Sequence, residues 1–208
     1  MSGKFIVIEG LDGCGKTTQC ERLAEKLKND GRAVFLTREP TDSDCGRLLR
    51  QILGGKIAGT NQDMTVLFSA DRLWHNLAEN QIRDRLSRGE IVICDRYYYS
   101  TLAYQGLDGN LDFCKKLNIQ CNNIQKPDIC IFLETDTDIC LDRIIQNRKS
   151  EDIEIFENRS MLEDIRCRFN KIFDMLDDEN IVRIDAAGSI DDIAASIYNA
   201  VQEVIYDE

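Results

Sequence analysis

The sequence predicts an α/β domain built on a mostly parallel sheet, and three observations carry that reading. Short apolar runs alternate with longer stretches of helical period along the chain, the signature of strands joined through crossover helices. The runs are near-continuous in apolar character, as suits strands covered on both faces. The length of 208 residues is what one core fills, alone or with a mobile insertion.

Five runs are expected as strands: Phe5 to Glu9, Ala33 to Thr37, Ile91 to Asp95, Ile129 to Glu134 and Ile181 to Asp185. After the first, Cys20, Leu23, Ala24 and Leu27 recur at i, i+3, i+4 and i+7 and mark a helix that Gly31 is placed to end. A second long helix is expected from Asp63 to Arg88, with Val66, Leu67, Ala70, Leu73, Trp74 and Leu77 on one wide stripe and Gly89 beyond its end. Further helices are expected over Asp136 to Gln146 and Arg159 to Asp177. The last begins at Ser189 as N-cap, with Asp192 three residues on, and is expected to bury Ile190, Ile193, Ala194, Ile197, Val201 and Val204. Between two of these helices the highly charged stretch Asn147 to Asn158 stands apart, either a solvated hairpin tip or a mobile lid.

Composition bounds function without naming it. With 26 Lys and Arg against 37 Asp and Glu the formal charge is −11, which disfavours enveloping DNA or RNA, because such affinity comes mainly from neutralising phosphates. A small anion remains compatible if basic residues gather locally, and Lys16, Arg38, Arg50, Arg72, Arg96, Arg143 and Arg148 are candidates. The 9 Cys show neither a C-x-x-C pair nor zinc spacing and read as reduced thiols. No leader pattern and no bilayer-length apolar run is seen, so a cytoplasmic protein with no membrane partner is expected.

Chemistry enters at Gly10 to Thr17, GLDGCGKT, which matches the phosphate-loop pattern G-x-x-x-x-G-K-[ST] between a strand and a helix. Glycines let backbone N–H groups converge on an anion and the helix start adds its positive end. Lys16 is placed to reach the β and γ phosphates of a nucleotide, and the Thr17 hydroxyl to hold Mg²⁺. The cradle comprises Gly10, Leu11, Asp12, Gly13, Cys14, Gly15, Lys16, Thr17 and Thr18. Cys14 is either a small loop residue or a thiol activated by its basic neighbour. At the end of the third strand Asp95 is placed for the metal and Arg96 follows it, at the carboxyl edge of the sheet where ligands bind. The stretch Gln125 to Asp128 differs from the guanine-reading N-K-x-D of switch proteins in its first residue and in preceding a strand, so it reads as a turn.

Taken together, GLDGCGKTTQ, TREP at 37–40, VLFSADR at 66–72, DRYYYSTLAYQG at 95–106 and KPD at 126–128 resemble the bacterial-type thymidylate kinase family in order along nearly the whole chain. The resemblance implies a P-loop fold with strand order 2-3-1-4-5 and transfer of a phosphoryl group from ATP to dTMP with Mg²⁺. It implies a homodimer paired through helices that include Asp63 to Arg88. By position, Phe68 stacks on thymine, Arg72 bonds a thymine carbonyl, Thr101 meets the pyrimidine edge, Arg96 clamps the dTMP phosphate and Tyr104 lies against the deoxyribose. Asp12 faces the acceptor's sugar and phosphate, and Glu39, Arg50 and Gln105 complete the acceptor set. No Arg stands at the variable loop positions, so the resemblance brings a cation from the lid: Arg148, with Lys149 and Arg143 as candidates. Thr41 and Asp42 stand where the family usually has glycines. Tyr97, Tyr98 and Tyr99 read as packing, and the single His75 as a helix-surface residue.

Overall fold

A computed structural model describes residues 3–106, 110–147 and 158–206. The strands are β1 (Lys4–Gly10), β2 (Val34–Arg38), β3 (Ile91–Asp95), β4 (Ile129–Glu134) and β5 (Ile181–Asp185). All pairings are parallel and the order is β2-β3-β1-β4-β5. The inner strands β3, β1 and β4 are buried along nearly their whole length, which is why their sequences are unbroken apolar runs. The edge strands β2 and β5 are partly exposed. The register brings Gly10, Asp95, Glu134 and Arg38 to one edge of the sheet, so the chemistry-bearing residues of separate segments share a rim.

Among the described residues nine helices connect these strands: α1 (Lys16–Asn29), α2 (Asp44–Leu53), α3 (Asn61–Leu77), α4 (Ile82–Ser87), α5 (Tyr98–Gln105), α6 (Leu111–Leu117), α7 (Thr137–Asn147), α8 (Arg159–Met175) and α9 (Ile190–Tyr206). Helices α1 and α9 pack on each other and on the sheet, and α5 packs on α8. An aromatic group of Tyr99, Phe132, Phe169 and Phe173 fills the space at α8, with ring centroids 4.9 to 6.1 Å apart. Gly31 ends α1 as expected, at φ +80, with Arg32 N–H returning to Leu27 O at 3.0 Å. Ser189 caps α9, accepting from Asp192 N–H at 3.2 Å.

Three expectations are corrected. The helix expected over Asp63 to Arg88 is two helices: Ala78 is extended (ψ 154) and Asn80 is left-handed (φ 61). Asn tolerates that conformation, and local bonds from Asn80 N–H to Asp84 and from Arg85 Nε to Asn80 O replace the helical ladder there. In α9 the buried line is Ile193, Ile197, Val201 and Ile205, an i, i+4 series that leaves Ile190 52% exposed and Ala194 and Val204 half-buried. His75 is buried, not a surface residue.

Helix α3 is inside out. Val66, Trp74 and Leu77 are 49%, 44% and 51% exposed, while Thr65, Ser69, Asp71, Arg72, His75 and Asn76 are buried. The inward polar face is tolerable because its groups are bonded: Ser69 Oγ to Thr65 O, Asn76 to Arg72 O and Tyr97 Oη, and Asp71 to Thr41 and Ser43. The charged stretch after Asn147 lies outside the described residues up to position 157.

Candidate active site

The loop between β1 and α1 is shaped by glycines where nothing else fits. A Cβ on Gly13 (φ +80) would stand 2.3 Å from Cys140 O, and one on Gly10 (φ +150) would stand 2.6 Å from Cys14 Sγ. Lys16, the first residue of α1, folds back so that Nζ donates to Leu11 O at 2.7 Å and Gly10 O at 3.1 Å. Burial pushes the Cys14 thiol up despite the nearby Lys16, so Cys14 is a packed neutral loop residue.

Beside the loop, Thr17 Oγ1 donates to Asp95 Oδ2 at 2.6 Å. One hydroxyl and one carboxylate fit Mg²⁺, which takes few protein ligands and completes its shell from phosphate and water. Among the described residues no cluster of three or more His, Cys, Asp or Glu gathers for a metal.

Next to Asp95, Arg96 sits at φ +68, a conformation that costs a non-glycine residue about 1 to 3 kcal/mol and persists where surroundings impose it. Here they do: its N–H bonds Ile8 O at 3.0 Å, Nη1 donates to Ser100 Oγ at 2.8 Å and Nη2 to Asp12 Oδ1 at 2.5 Å. Tyr104 Oη donates to the other Asp12 oxygen at 2.9 Å. Burial raises the Asp12 carboxyl, but the charges of Arg96 and Lys16 and the bonds from Tyr104 and Arg96 outweigh it and hold Asp12 well below the usual carboxylate range. Glu9, at the end of β1, accepts from Tyr97 N–H (2.8 Å), Ser100 N–H (3.1 Å) and Ser100 Oγ (2.7 Å), which pins the start of α5 and the helix that carries Thr101 and Tyr104.

A third group lies deeper. Arg72 Nε and Nη2 donate to Glu39 Oε2 at 2.9 and 2.6 Å, Nη2 donates to Thr101 Oγ1 at 3.1 Å, and Nη1 donates to Asn118 Oδ1. His75 closes the far side of Glu39. Arg50 donates to Pro40 O and Asp42 Oδ1, both at 2.8 Å. One cavity of about 720 Å³ connects the phosphate loop, the Asp12–Arg96–Tyr104 group and Phe68 with Arg72.

Residues 8–197 match the model of the thymidylate kinase family. The chain belongs to the thymidylate kinase family. It is 40% identical over 209 residues to a probable thymidylate kinase of Pyrococcus horikoshii, with 95% of each chain covered. It is 35% identical over 204 residues to a thymidylate kinase of Desulfotalea psychrophila, covering 98% of this chain and 96% of that one. A thymidylate kinase of Trichormus variabilis is 41% identical over 152 residues, 69% of each chain. Membership makes the chain an ATP-dependent kinase.

The expected donor residues Asp12, Gly13, Cys14, Gly15, Lys16, Thr17 and Thr18 line the cavity with Arg143, whose Nη1 donates to Cys14 O at 3.3 Å. Leu11 is buried, and Gly10 ends β1. Of the acceptor set, Glu39, Arg50, Phe68, Arg72, Arg96, Tyr104 and Gln105 line the same cavity, whereas Thr101 stands behind Arg72 as its hydrogen-bond partner. Arg148 and Lys149 lie outside the described residues. Thr41 and Asp42, which replace the family's usual glycines, are accounted for: Thr41 bonds Asp71 through N–H (2.8 Å) and Oγ1, and Asp42 pairs with Arg50.

Sequence reasoning passed over Glu9, Asp71 and Asn118 and misplaced His75 on the surface; all four are buried. Glu9 carried a signal, a carboxylate closing an otherwise apolar strand; Asn118 carried none.

Proposed function

We propose that the protein transfers the γ-phosphoryl group of ATP to dTMP, giving ADP and dTDP, with the residue roles that follow. One observation carries the reading: donor and acceptor halves open into a single cavity, with the Asp12–Arg96 pair between them. ATP seats its phosphates on the loop amides and the α1 N-terminus, with Lys16 turning from the Gly10 and Leu11 carbonyls to the β and γ oxygens. Thr17 and Asp95 hold Mg²⁺, which when bound neutralises phosphate charge. Phe68 lies on the thymine ring, Arg72 meets a base carbonyl, Arg96 takes the dTMP phosphate and Tyr104 covers the sugar. Asp12, kept ionised, orients both Arg96 and Tyr104. No covalent step by the protein is needed, because phosphoryl transfer is accelerated by alignment and fixed charge.

Arg148, with Lys149 and Arg143 as the other candidates, is proposed as the cation that neutralises the transferring group. A homodimer is proposed through the outward apolar stripe of α3, a patch that water leaves costly and a second copy would cover. A cytoplasmic setting is supported by nine free cysteines; no helix among the described residues is long and apolar enough to cross a membrane.

A coupled ADP-release assay over dTMP, dUMP, dCMP, AMP and GMP tests the reading. The expected result is fastest turnover with dTMP at limiting concentration. Equal rates on all five would overturn the acceptor assignment, and nucleotide binding with no phosphorylated product would overturn the kinase reading.

A further inference from the structure

His75, the single histidine of the chain, is 0% exposed on α3, three residues after Arg72. Its Nδ1 lies 3.0 Å from Glu39 Oε1 and its Nε2 lies 2.8 Å from Thr37 Oγ1. A carboxylate paired with Arg only accepts, so Nδ1 carries a proton and donates to Glu39, while Nε2 bonds the Thr37 hydroxyl.

The consequence reaches the cavity. A guanidinium has five N–H groups, and four of those on Arg72 are engaged: two by Glu39, one by Thr101 and one by Asn118. The second N–H on Nη1 carries none of these bonds, and Arg72 and Phe68 both line the cavity. Its direction depends on the plane of the guanidinium, that plane on the Glu39 carboxylate it forks onto, and the carboxylate's rotation on what grips Oε1. His75 is that grip.

We infer that His75 is a positioning residue for recognition of the acceptor base: by locking Glu39 it aims the remaining Arg72 N–H at one pyrimidine carbonyl. This rests on the acceptor reading above. It follows that His75 governs discrimination at the base carbonyl that dCMP replaces with an amino group, and not discrimination of the thymine methyl that dUMP lacks.

The experiment compares His75→Gln with His75→Asn. Asparagine carries its amide nitrogen near the Nδ1 position and retains the donor to Glu39; glutamine places it near Nε2 and loses that donor. A lost bond to a charged group lets His75→Gln raise KM for dTMP by about 10-fold or more, with kcat and KM for ATP little changed. The dTMP preference over dCMP narrows, the preference over dUMP holds, and His75→Asn recovers most of the loss. Unchanged KM and unchanged dTMP-to-dCMP ratio overturn the inference. So does a loss that falls equally on dTMP, dCMP and dUMP without recovery in His75→Asn, which is the behaviour of a packing role. Should His75→Gln show no cooperative melt, Thr37→Val removes only the partner of Nε2; the dTMP-to-dCMP ratio narrows there too, and a constant ratio overturns the inference. A wild-type enzyme with no preference for dTMP over dCMP would sink the acceptor reading before any variant is made.

Discussion

Arg96 Nη2 lies 2.5 Å from Asp12 Oδ1, joining the end of β3 to the phosphate loop across 84 positions of sequence. Arg96 and Lys16 hold Asp12 ionised against its burial. A carboxyl lowered in the folded state stabilises fully above its unfolded value, near 3.9, and loses that contribution as pH falls below it toward the folded value. Asp12→Asn is therefore expected to be less stable than wild type at neutral pH, with the gap closing below about pH 4. Denaturant titrations from neutral to acid pH measure this; a gap constant with pH would show that Asp12 does not titrate with folding.

The Thr17–Asp95 bond leads to a metal prediction. Asp95→Asn keeps the shape and removes the charge, and the Mg²⁺ concentration for half-maximal rate is expected to rise by roughly 10 to 100-fold, the usual scale for groups that support a metal ligand. Calorimetric titration of Mg·ATP provides the binding side of the measurement. An unaltered Mg²⁺ requirement would remove Asp95 from the metal site.

Tyr104 can act through its ring or its hydroxyl, and two variants separate them. Tyr104→Ala removes the ring from the proposed sugar site and is expected to narrow the preference for dTMP over its ribose analogue. Tyr104→Phe keeps the ring and loses the hydroxyl with its 2.9 Å bond to Asp12, and is expected to retain that preference. Specificity constants for the two acceptors decide it; equal loss in both variants would place discrimination in the hydroxyl.

Trp74 is 44% exposed on the outward stripe of α3. Trp74→Glu puts a charge on the face proposed to pair with a second copy, and the expected outcome is a folded monomer. Sedimentation at micromolar concentration reads this directly, and a wild type that is monomeric at all concentrations would refute the interface.

The strands were legible because burial on both faces leaves unbroken apolar runs; β3, β4 and β5 have the expected bounds, and β1 and β2 differ by one residue at their ends. Where polarity reversed, pattern reading failed. The stripe of α3 marks an outward face, and its buried side is polar because Glu39, Tyr97 and Asn118 meet it. Position along the chain hides such partnerships: His75 joins Glu39 and Thr37 from 36 and 38 residues away. The phosphate loop was legible for the opposite reason, since a contiguous run supplies nearly the whole cradle.

Helices α2, α5 and α6 were not placed beforehand. Helix α2 owes its start to Ser43, which accepts from Gly46 N–H at 3.0 Å, and α5 to the distant Glu9 carboxylate, which the local sequence of α5 does not contain.

The thiols give the molecule a set of built-in reporters. Cys167 is exposed and Cys45 and Cys121 are half-buried, whereas Cys14, Cys20, Cys94, Cys114, Cys130 and Cys140 are buried in the loop, α1, β3, α6, β4 and α7. An alkylating reagent applied to the native protein thus reacts at once with the first group and reaches each of the others only when its own element opens. Peptide-resolved labelling over time would order the loop, the two strands flanking β1 and three helices by the free energy of their opening, with no substitution made, and nucleotide added to the same reaction would show which of them the ligand holds shut.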